Sequence, residues 1–548
     1  MDGRPFAFPQ IGRGRGGAYL KRGSGAPAAS CRSRSLSLFE SILLILAVAL
    51  ALAALSRRIG APYPAFLALV GAGVAFVPGA PRVELEPDLA LALFLAPVLV
   101  DAGFDMSIRD LKRDWIAVSG LVLGAVVATT IAVAIVARWL TPDLAWAPAI
   151  ALGAIVAPPD AVAASAVLRH INPPRRLVSI LEGESLFNDA SALVIFRGAV
   201  IAATFAMTAT TIPLLVLSVP ASLFAGWALG ILLPRITARV SDAPTAILMQ
   251  FLTAFGVWLI AERLHLSGVL TLVAFAATAS RTTRTPARLR LPSFAVWETV
   301  IFFLNVLAFV LIGLQIEPIF SKLDAGARAQ YLQVGAAVLA TVVLVRFAWV
   351  FLNGGAVWIY GRLRGYSPIN PGVRPGWRGG LVVSWAGMRG IVTLAAALAL
   401  PDGANPFPHR DLILFVAFFV VLGTLIIQGF TLGPLLRLLD LPQDRLLEKE
   451  SGYARTEALR AALASLDGED SDASRRVRDE YAGLIAVADA QDDAFAPQLS
   501  EEDRLRERAI NAARTRLAEL RYSGEIGDDA FHRVEEELDR AEIGVVEF

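Results

Sequence analysis

Residues 183–189 read Gly-Glu-Ser-Leu-Phe-Asn-Asp, and they lead into an apolar run that continues to residue 207. Two carboxylates, an amide and a hydroxyl therefore lie at the start of a segment long enough to enter a membrane. A charge at membrane depth costs roughly 3 kcal/mol unless it faces a cavity, a partner or a permeating ion. We therefore expect other helices to surround this stretch, which makes it the segment that decides the fold.

The composition of the whole chain also indicates a membrane protein. Of its 548 residues, 55% are hydrophobic and 18% are charged, and the mean hydropathy is +0.58. A helix needs about 20 apolar residues to cross a hydrocarbon core roughly 30 Å thick. We predict an all-α polytopic membrane protein with about 13 transmembrane helices. The predicted spans lie near residues 37–56, 62–79, 89–104, 115–139, 145–168, 177–207, 211–234, 243–262, 265–280, 292–318, 330–360, 379–401 and 411–436.

Positive charges alternate between the loops of this prediction. Eighteen Lys and Arg residues lie in every second loop, for example at residues 281–290, whereas the intervening loops hold only a few. Cytoplasmic loops carry the positive excess, so we predict a multi-pass protein of the plasma (inner) membrane with a cytoplasmic tail. Residues 1–36 are predicted to form a basic disordered extension. Their seven positive charges favour the cytoplasm, whereas an odd number of spans requires an external amino terminus, so its side is left open.

The segment 441–548 has a different composition from the predicted transmembrane domain at residues 37–440. It contains 27 acidic and 15 basic residues, a net charge of −12, and helical patterns at residues 455–466 and 501–520. Such charge patterning is typical of a solvated helical surface. We predict an acidic, mostly helical cytoplasmic tail, either a plain extension or an element for regulation or dimer contact.

Several classes of chemistry have no signature in this sequence. Cys31 is the only cysteine, and the four histidines, at positions 170, 265, 409 and 532, are scattered along the chain. Neither an internal disulfide nor a cluster of metal ligands is expected from this distribution. No Walker loop, dinucleotide-binding glycine motif or nucleophile elbow is present. We predict that the chain is not an enzyme, needs no cofactor and has no nucleic-acid partner.

The fifth predicted span is interrupted by the sequence Ala157-Pro158-Pro159-Asp160. Proline removes a backbone donor and clashes with the preceding turn, so two successive prolines should break the helix and free carbonyl groups. In a membrane such backbone is tolerated only beside protein or a water-filled cavity. Asp160 adds a carboxylate to these carbonyl dipoles, which predicts an oxygen-rich site for a hard monovalent cation. In the alternative interpretation, Asp160 only caps the second half-helix.

The sixth span carries the candidate carrier group. At about 100° per residue, Ser185 lies beside Asp189 on one face, and Asp189 could meet Asp160 across neighbouring helices. A buried carboxylate favours a proton, whereas a bound cation favours the ionised form, so the two exclude each other. Such competition at Asp189 would couple the fluxes of protons and cations.

A second face of the same span carries Glu184 and Asn188, which also lie four residues apart. Glu184 needs a counter-charge, and Arg346 in the eleventh span is the best candidate. Because Asn188 is neutral, Asp189 has no second carboxylate immediately before it. One proton or one monovalent cation would then neutralise the carrier charge, which predicts electroneutral exchange.

The twelfth span carries a second irregular point, Gly387-Met388-Arg389-Gly390, inside another apolar run. The two breaks are seven spans apart, an odd number. Spans one to six and eight to thirteen could therefore form inverted repeats, with the seventh span as a linker. Secondary transporters are built in this way, with their sites near the midplane where broken helices cross.

These motifs together resemble the sodium/proton exchanger family of monovalent cation/proton antiporters, in its bacterial branch. The resemblance runs in order from about residue 37 to residue 440 and is most specific at residues 183–189. The other matching motifs are Pro-Pro-Asp-Ala-Val at 158–162, Val-Arg-Phe at 345–347, Gly-Met-Arg-Gly at 387–390 and Gln-Gly-Phe-Thr-Leu at 428–432.

The resemblance implies a homodimer that works by alternating access and uses one aspartate for both ions. The implied roles are a shared cation and proton carrier at Asp189, cation coordination at Asp160 and Ser185, support at Asn188, a structural ion pair of Glu184 with Arg346, and a helix crossing at Gly387, Arg389 and Gly390. The family often has Thr-Asp-Pro where this chain has Pro159-Asp160-Ala161. A hydroxyl is therefore missing at Pro159, which puts the cation selectivity in question.

The resemblance and the residues together predict a secondary antiporter that exchanges sodium for protons, with a role in pH homeostasis. A potassium/proton antiporter on the same fold is the first alternative, because selectivity depends on cavity size and ligand field. A cation channel is the second, although the chain has no repeated filter loop.

Overall fold

The computed structural model describes residues 28–78, 87–105, 120–168, 175–204, 211–237, 239–240, 242–282, 286–321, 326, 328–364, 377–402, 406–440, 446–468, 471–491, 501–523, 534–535 and 537–538. Within these ranges the chain is helical and contains no β-strand. The predicted all-α fold is confirmed. The chain divides into two compact units, Met1–Gln443 and Asp444–Phe548.

The first unit contains a long series of helices. They are α1 (Ala28–Ile59), α2 (Tyr63–Ala75), α3 (Pro87–Ala90), α4 (Ala96–Asp105), α5 (Ala125–Leu140), α6 (Trp146–Val156), α7 (Ala161–Leu168), α8 (Arg175–Thr204), α9 (Thr211–Thr237), α10 (Ala243–Arg263), α11 (Gly268–Thr282), α12 (Ala287–Leu314), α13 (Ile316–Ser321), α14 (Arg328–Arg364), α15 (Trp377–Trp385), α16 (Ile391–Leu398) and α17 (Arg410–Leu439). Two π-helical turns, Leu91–Leu95 and Gly120–Gly124, precede α4 and α5.

Many of these helices are long and apolar enough to cross a membrane. Among the described residues seven segments qualify by length and composition, and four shorter apolar helices accompany them. The seven are Val122–Leu140, Phe187–Thr204, Leu217–Thr237, Ala243–Arg263, Leu289–Ser321, Arg328–Ile359 and Arg410–Leu439. The multi-pass architecture agrees with the sequence analysis, whereas the total of 13 spans stays a prediction.

Two membrane segments are broken in the middle. Residues 157–160 leave the helical conformation between α6 and α7, and residues 386–390 do so between α15 and α16. The first break follows from the two prolines, which cannot continue the hydrogen-bond ladder. The second contains Gly387 and Gly390, and glycine is a poor helix former. Both breaks lie where the sequence predicted irregular backbone.

Glycines allow the helices of this unit to approach closely. Gly71 of α2 faces Gly313 of α12, and Gly153 of α6 faces the backbone of Thr130 in α5. A Cβ atom at any of these three glycines would overlap the neighbouring backbone. Helices in lipid associate through van der Waals packing, and small residues allow their backbones to meet. The contact at Gly153 fixes α6, which leads directly into the first break.

The π-helical turn Gly120–Gly124 is held by a neighbouring helix. The indole Nε1 of Trp349 in α14 donates to the carbonyl of Gly120 at 2.9 Å. A Cβ atom at Gly124 would overlap the same indole ring. The indole hydrogen bond holds this irregular turn against α14. The contact also brings α14, which carries Arg346, against the start of α5.

The second unit, Asp444–Phe548, contains further helices. They are α18 (Leu446–Ala464), α19 (Asp472–Gln491) and α20 (Glu501–Tyr522), and α18 packs against α19.

The predicted amino-terminal extension covers residues 1–36, of which residues 1–27 lie outside the described residues. Residues 28–36, which we assigned to that extension, belong to α1.

Replacing Gly153 with Ala should destabilise the protein. The added methyl group overlaps the backbone of Thr130, and overpacking of this kind costs roughly 1–3 kcal/mol. The measurement is the midpoint of thermal unfolding of the purified protein in detergent. The matched control is Gly354→Ala in α14, where a Cβ atom would meet nothing within 4 Å. Equal midpoints for the two variants would contradict the packing argument.

Candidate functional site

The first break ends in a capped half-helix. The carboxylate Oδ1 of Asp160 accepts a hydrogen bond from the N–H of Val162 at 2.9 Å, at the start of α7. Pro158 and Pro159 are buried beside it. Both interpretations of Asp160 made from the sequence are compatible with this geometry. An ionised carboxylate has about four acceptor positions, so one that accepts from a backbone N–H is still able to bind a cation.

The two breaks cross each other at Asp160. Its backbone N–H donates to the carbonyl of Met388 at 2.6 Å, which joins the first break directly to the second. The carboxylate of Asp160 also packs against Gly390 of the second break, where a Cβ atom would overlap it. Glycine at position 390 therefore lets the carboxylate lie against the backbone of the second break.

Arg389 binds across the crossing. Its side chain is only 1% exposed. Nε donates to the carbonyl of Val156 at 2.9 Å, Nη2 donates to the carbonyl of Ala157 at 3.1 Å, and Nη1 donates to the carbonyl of Gly387. The sequence analysis assigned the carbonyls freed by the first break to a cation. In the structure the guanidinium of Arg389 donates to two carbonyls at this break, those of Val156 and Ala157, and cation binding at the break stays a prediction.

A second buried arginine pairs with the sixth predicted span. Arg346 contacts Glu184 through two bonds, Nη1 to Oε1 at 2.6 Å and Nη2 to Oε2 at 3.0 Å. The two side chains are 3% and 0% exposed, respectively. Arg346 also donates to the carbonyl of Val383 in α15. Gly387 packs on this arginine so closely that a Cβ atom there would overlap its side chain.

Asn188 and Asp189 follow on the same helix, α8. The amide Nδ2 of Asn188 donates to Oε1 of Glu184 at 3.2 Å, which leaves its Oδ1 as the free end. That oxygen is buried and has no hydrogen-bond partner among the described residues. Asp189 is 7% exposed, and its carboxylate interacts electrostatically with that of Asp160. The side chain of Ser185, also a candidate ligand, lies outside the described residues.

Asp160, Asn188 and Asp189 are the candidate ligands of this region, and the ion pair of Glu184 with Arg346 lies beside them. The available oxygens belong to the carboxylates of Asp160 and Asp189 and to the amide of Asn188. Hard cations prefer carboxylate and amide oxygens as ligands. The arginines are engaged elsewhere, since Arg346 binds Glu184 and Arg389 binds carbonyl groups. The arrangement is therefore able to hold either a proton or a cation.

Two residues of this region were missed by the sequence analysis. Thr424 of α17 accepts a hydrogen bond from the backbone N–H of Arg389 at 3.0 Å. Gln428 follows four residues later and is also buried. A polar pair spaced four apart in an otherwise apolar helix was a signal that they share one face. The motif at 428–432 had entered only the family resemblance.

Most of the membrane unit matches a known protein family. The family described as sodium/hydrogen exchanger, transmembrane, matches residues 43–438. The chain belongs to the sodium/hydrogen exchanger family. It is thus a multi-pass membrane transporter for cation/proton antiport rather than an enzyme.

Individual relatives cover most of the chain. An uncharacterized Na⁺/H⁺ exchanger of Mycobacterium tuberculosis is 31% identical over 88% of this chain and 92% of its own length. The sodium, potassium, lithium and rubidium/H⁺ antiporter of Bacillus subtilis is 29% identical over 88% of this chain and 74% of its own length. The solved structure of the sodium proton antiporter MjNhaP1 from Methanocaldococcus jannaschii matches with a TM-score of 0.56 at 17% identity, covering 72% of this chain and 99% of that one. At this identity the structural match supports the exchanger fold alone.

Replacing Arg346 with Gln should destabilise this family member strongly. Glu184 would remain buried without its partner, and breaking one side of a buried ion pair costs roughly 3–5 kcal/mol. The double variant Glu184→Gln/Arg346→Gln should lose less than Arg346→Gln alone, because no unpaired charge remains. Thermal unfolding of the purified variants in detergent measures both effects.

The control for this experiment is a second ion pair on the same helix. Arg197 binds Glu262 at 2.8 Å, but the two side chains are 41% and 39% exposed. This pair is much less buried than Glu184 and Arg346, so Arg197→Gln leaves a less desolvated charge behind and should shift the unfolding midpoint far less. If Arg346→Gln and Arg197→Gln shift it equally, Glu184 and Arg346 do not form the structural pair.

Proposed function

We propose that the protein exchanges sodium for protons, one for one, and that Asp189 carries both ions in turn. The observation that carries this proposal is the environment of Asp189. The carboxylate is buried beside Asp160 and Asn188, and none of the described arginines or lysines forms an ion pair with it. A carboxylate that is buried yet free of an arginine can exchange its cationic partner.

Competition at one carboxylate supplies the coupling. Burial disfavours the ionised form, and a nearby cation favours it. A proton and a sodium ion therefore cannot both bind Asp189 with full affinity. If the loaded carrier alone crosses between the two membrane sides, each sodium that enters requires the release of one proton.

The buried charges around Asp189 support electroneutral exchange. Glu184 and Arg346 neutralise each other in their ion pair. Arg389 and Asp160 both lie at the crossing of the breaks, and their formal charges cancel in the sum for this region. The three carboxylates and two guanidinium groups of this region leave one negative charge in total, and we assign it to Asp189. One proton or one monovalent cation neutralises it, so both loaded forms carry the same charge through the membrane.

The crossing of two broken helices supports alternating access. Transporters with inverted repeats place their sites at such crossings, and one bundle rocks against the other around the site. In this chain the breaks meet through the bond from Asp160 to Met388. We propose inverted repeats on either side of a linker, within a transmembrane domain at residues 37–440.

Sodium is the proposed cation, and potassium is the alternative. The potassium alternative is supported by the Bacillus subtilis relative, whose name includes both ions. Pro159 offers no side-chain hydroxyl next to Asp160, so the cation selectivity of the family does not carry over directly to this chain. Ser185 is proposed as a further ligand from the family resemblance.

The setting of this activity is also proposed. The alternation of positive loops supports a plasma (inner) membrane location with the acidic tail in the cytoplasm. The family resemblance supports a homodimer. A role in pH homeostasis follows from the exchange itself, because each turnover moves a proton across the membrane.

Replacing Asp189 with Asn should abolish exchange while the protein still folds. The amide is similar in size to the carboxylate but cannot carry a proton or neutralise a cation. Purified protein is reconstituted into liposomes with a pH-sensitive dye inside, and proton movement is followed after addition of sodium, lithium or potassium. Sodium is expected to give the largest response in the unmodified protein.

The matched control is Glu298→Gln, a carboxylate in α12 that is exposed rather than buried in the site. This variant should keep the exchange rate of the unmodified protein. Sodium-dependent proton release by Asp189→Asn would rule out the carrier role of Asp189. A larger response to potassium than to sodium would favour the alternative substrate.

Exchange should be independent of membrane potential. One charge moves in each direction in every cycle, so the potential does no net work on the transporter. The initial exchange rate is measured in liposomes at several potentials imposed with a gradient of a permeant anion. A rate that changes systematically with potential would exclude one-for-one exchange. An ion flux as fast as that of a channel would favour the alternative function, a cation channel.

A further inference from the structure

A buried polar group lies next to the second break without any contact that explains it. Gln428 of α17 is 1% exposed. Neither its Oε1 nor its Nε2 has a hydrogen-bond partner among the described residues. Buried amide groups are nearly always hydrogen-bonded, because an unpaired one loses its contacts with water and gains nothing in return. Gln428 therefore requires a partner that is not a side chain or backbone group of the described chain.

The neighbours of Gln428 along α17 define the direction it faces. Thr424, four residues earlier, accepts from the N–H of Arg389. Thr431, three residues later, accepts from the indole Nε1 of Trp385 at 2.8 Å. Residues at this spacing lie on one face of a helix. Gln428 thus lies between two points at which α17 is bonded to residues 385–389.

The second break frees a carbonyl group on this side. In an unbroken helix the N–H of Arg389 would bond to the carbonyl of Trp385. In this protein that N–H bonds to Thr424 instead. The carbonyl of Trp385 loses its helical donor at the segment that Gln428 faces. The Nε2 of Gln428, a donor without a partner among the described residues, lies on the helix that is bonded to this segment at Trp385 and Arg389.

We propose that Gln428 binds ordered water that bridges α17 to the second break. Nε2 donates to a water molecule, that water donates to the carbonyl of Trp385, and Oε1 accepts from water in the same site. Buried waters typically make about three hydrogen bonds to otherwise unsatisfied polar groups. Water suits this site better than a cation does, because the amide is neutral and its neighbours on α17, Leu425 and Gly429, carry no charge.

The water gives Gln428 a positioning role. It holds residues 386–390 against α17, and the carbonyl of Met388 in that segment fixes the backbone N–H of Asp160. This part of the inference rests on the proposed function, in which Asp160 helps to bind the cation. Gln428 acts through the break and does not touch the ion.

The water site is tested by X-ray hydroxyl-radical footprinting of the full chain in lipid nanodiscs. Radicals formed from bound water oxidise methionine even when bulk water cannot reach it. The sulfur of Met388 lies 3.5 Å from the position that a Cβ atom would take at Gly429, which follows Gln428. Met388 is buried, yet it should be oxidised in the unmodified protein. Gln428→Leu should reduce this oxidation several-fold, and Gln428→Asn should retain most of it.

The dry control is Leu425→Met in the same helix, at a position inside the apolar core. Its new methionine should stay unoxidised. Absence of Met388 oxidation in the unmodified protein would overturn the water site even if no variant folds. Unchanged oxidation in Gln428→Leu would overturn it as well.

The positioning role is tested by transport kinetics in liposomes. Gln428→Leu should raise KM for the cation several-fold with little change in kcat, and Gln428→Asn should recover most of the affinity. A purely structural role would lower the amount of active protein and leave KM unchanged, and that result would overturn the positioning role. The footprint does not depend on transport, so a failure of the proposed exchange and a failure of the water site are distinguishable.

Discussion

The guanidinium group of Arg389 is the contact on which the site depends. It is a full charge inside a membrane unit, and it binds carbonyl groups of both breaks. Backbone carbonyls are available to it only because the helices are interrupted, and interrupted helices are tolerated only where such partners exist. Each feature therefore requires the other. Prolines in one break and glycines in the other are the local means by which the chain provides these carbonyls.

The second constraint is charge balance around Asp189. Glu184 precedes it on α8 and pairs with Arg346 of α14, and Asn188 is bonded to Glu184. The pair gives Asn188 a fixed orientation with its oxygen free. It also keeps Arg346 from neutralising the carboxylate of Asp189, which we propose as the carrier. An exchanger needs this separation, because a carboxylate locked onto an arginine would have no affinity left for a transported ion.

Much of the architecture was predictable from the sequence because it depends on local patterns. Long apolar segments predicted the helices, and consecutive prolines predicted the first break. The spacing of Glu184 and Asn188 predicted two residues on one face, and their side chains are hydrogen-bonded. The prolines also predicted free carbonyls at this break, and those of Val156 and Ala157 accept from Arg389. Sequence patterns identified them as free groups but could not identify the donor that binds them.

By itself, the sequence determined the all-α multi-pass class of the protein, where two segments break and that Glu184 needs a buried counter-charge. Periodicity and proline chemistry act within a few residues, so they can be read along the chain. Only the tertiary structure decided which groups meet. Arg389 and Val156 are 233 residues apart in sequence and bond at 2.9 Å, and Gly390 matters because it leaves room for Asp160. Such contacts depend on how two helices cross, and that geometry is set by packing across the whole unit.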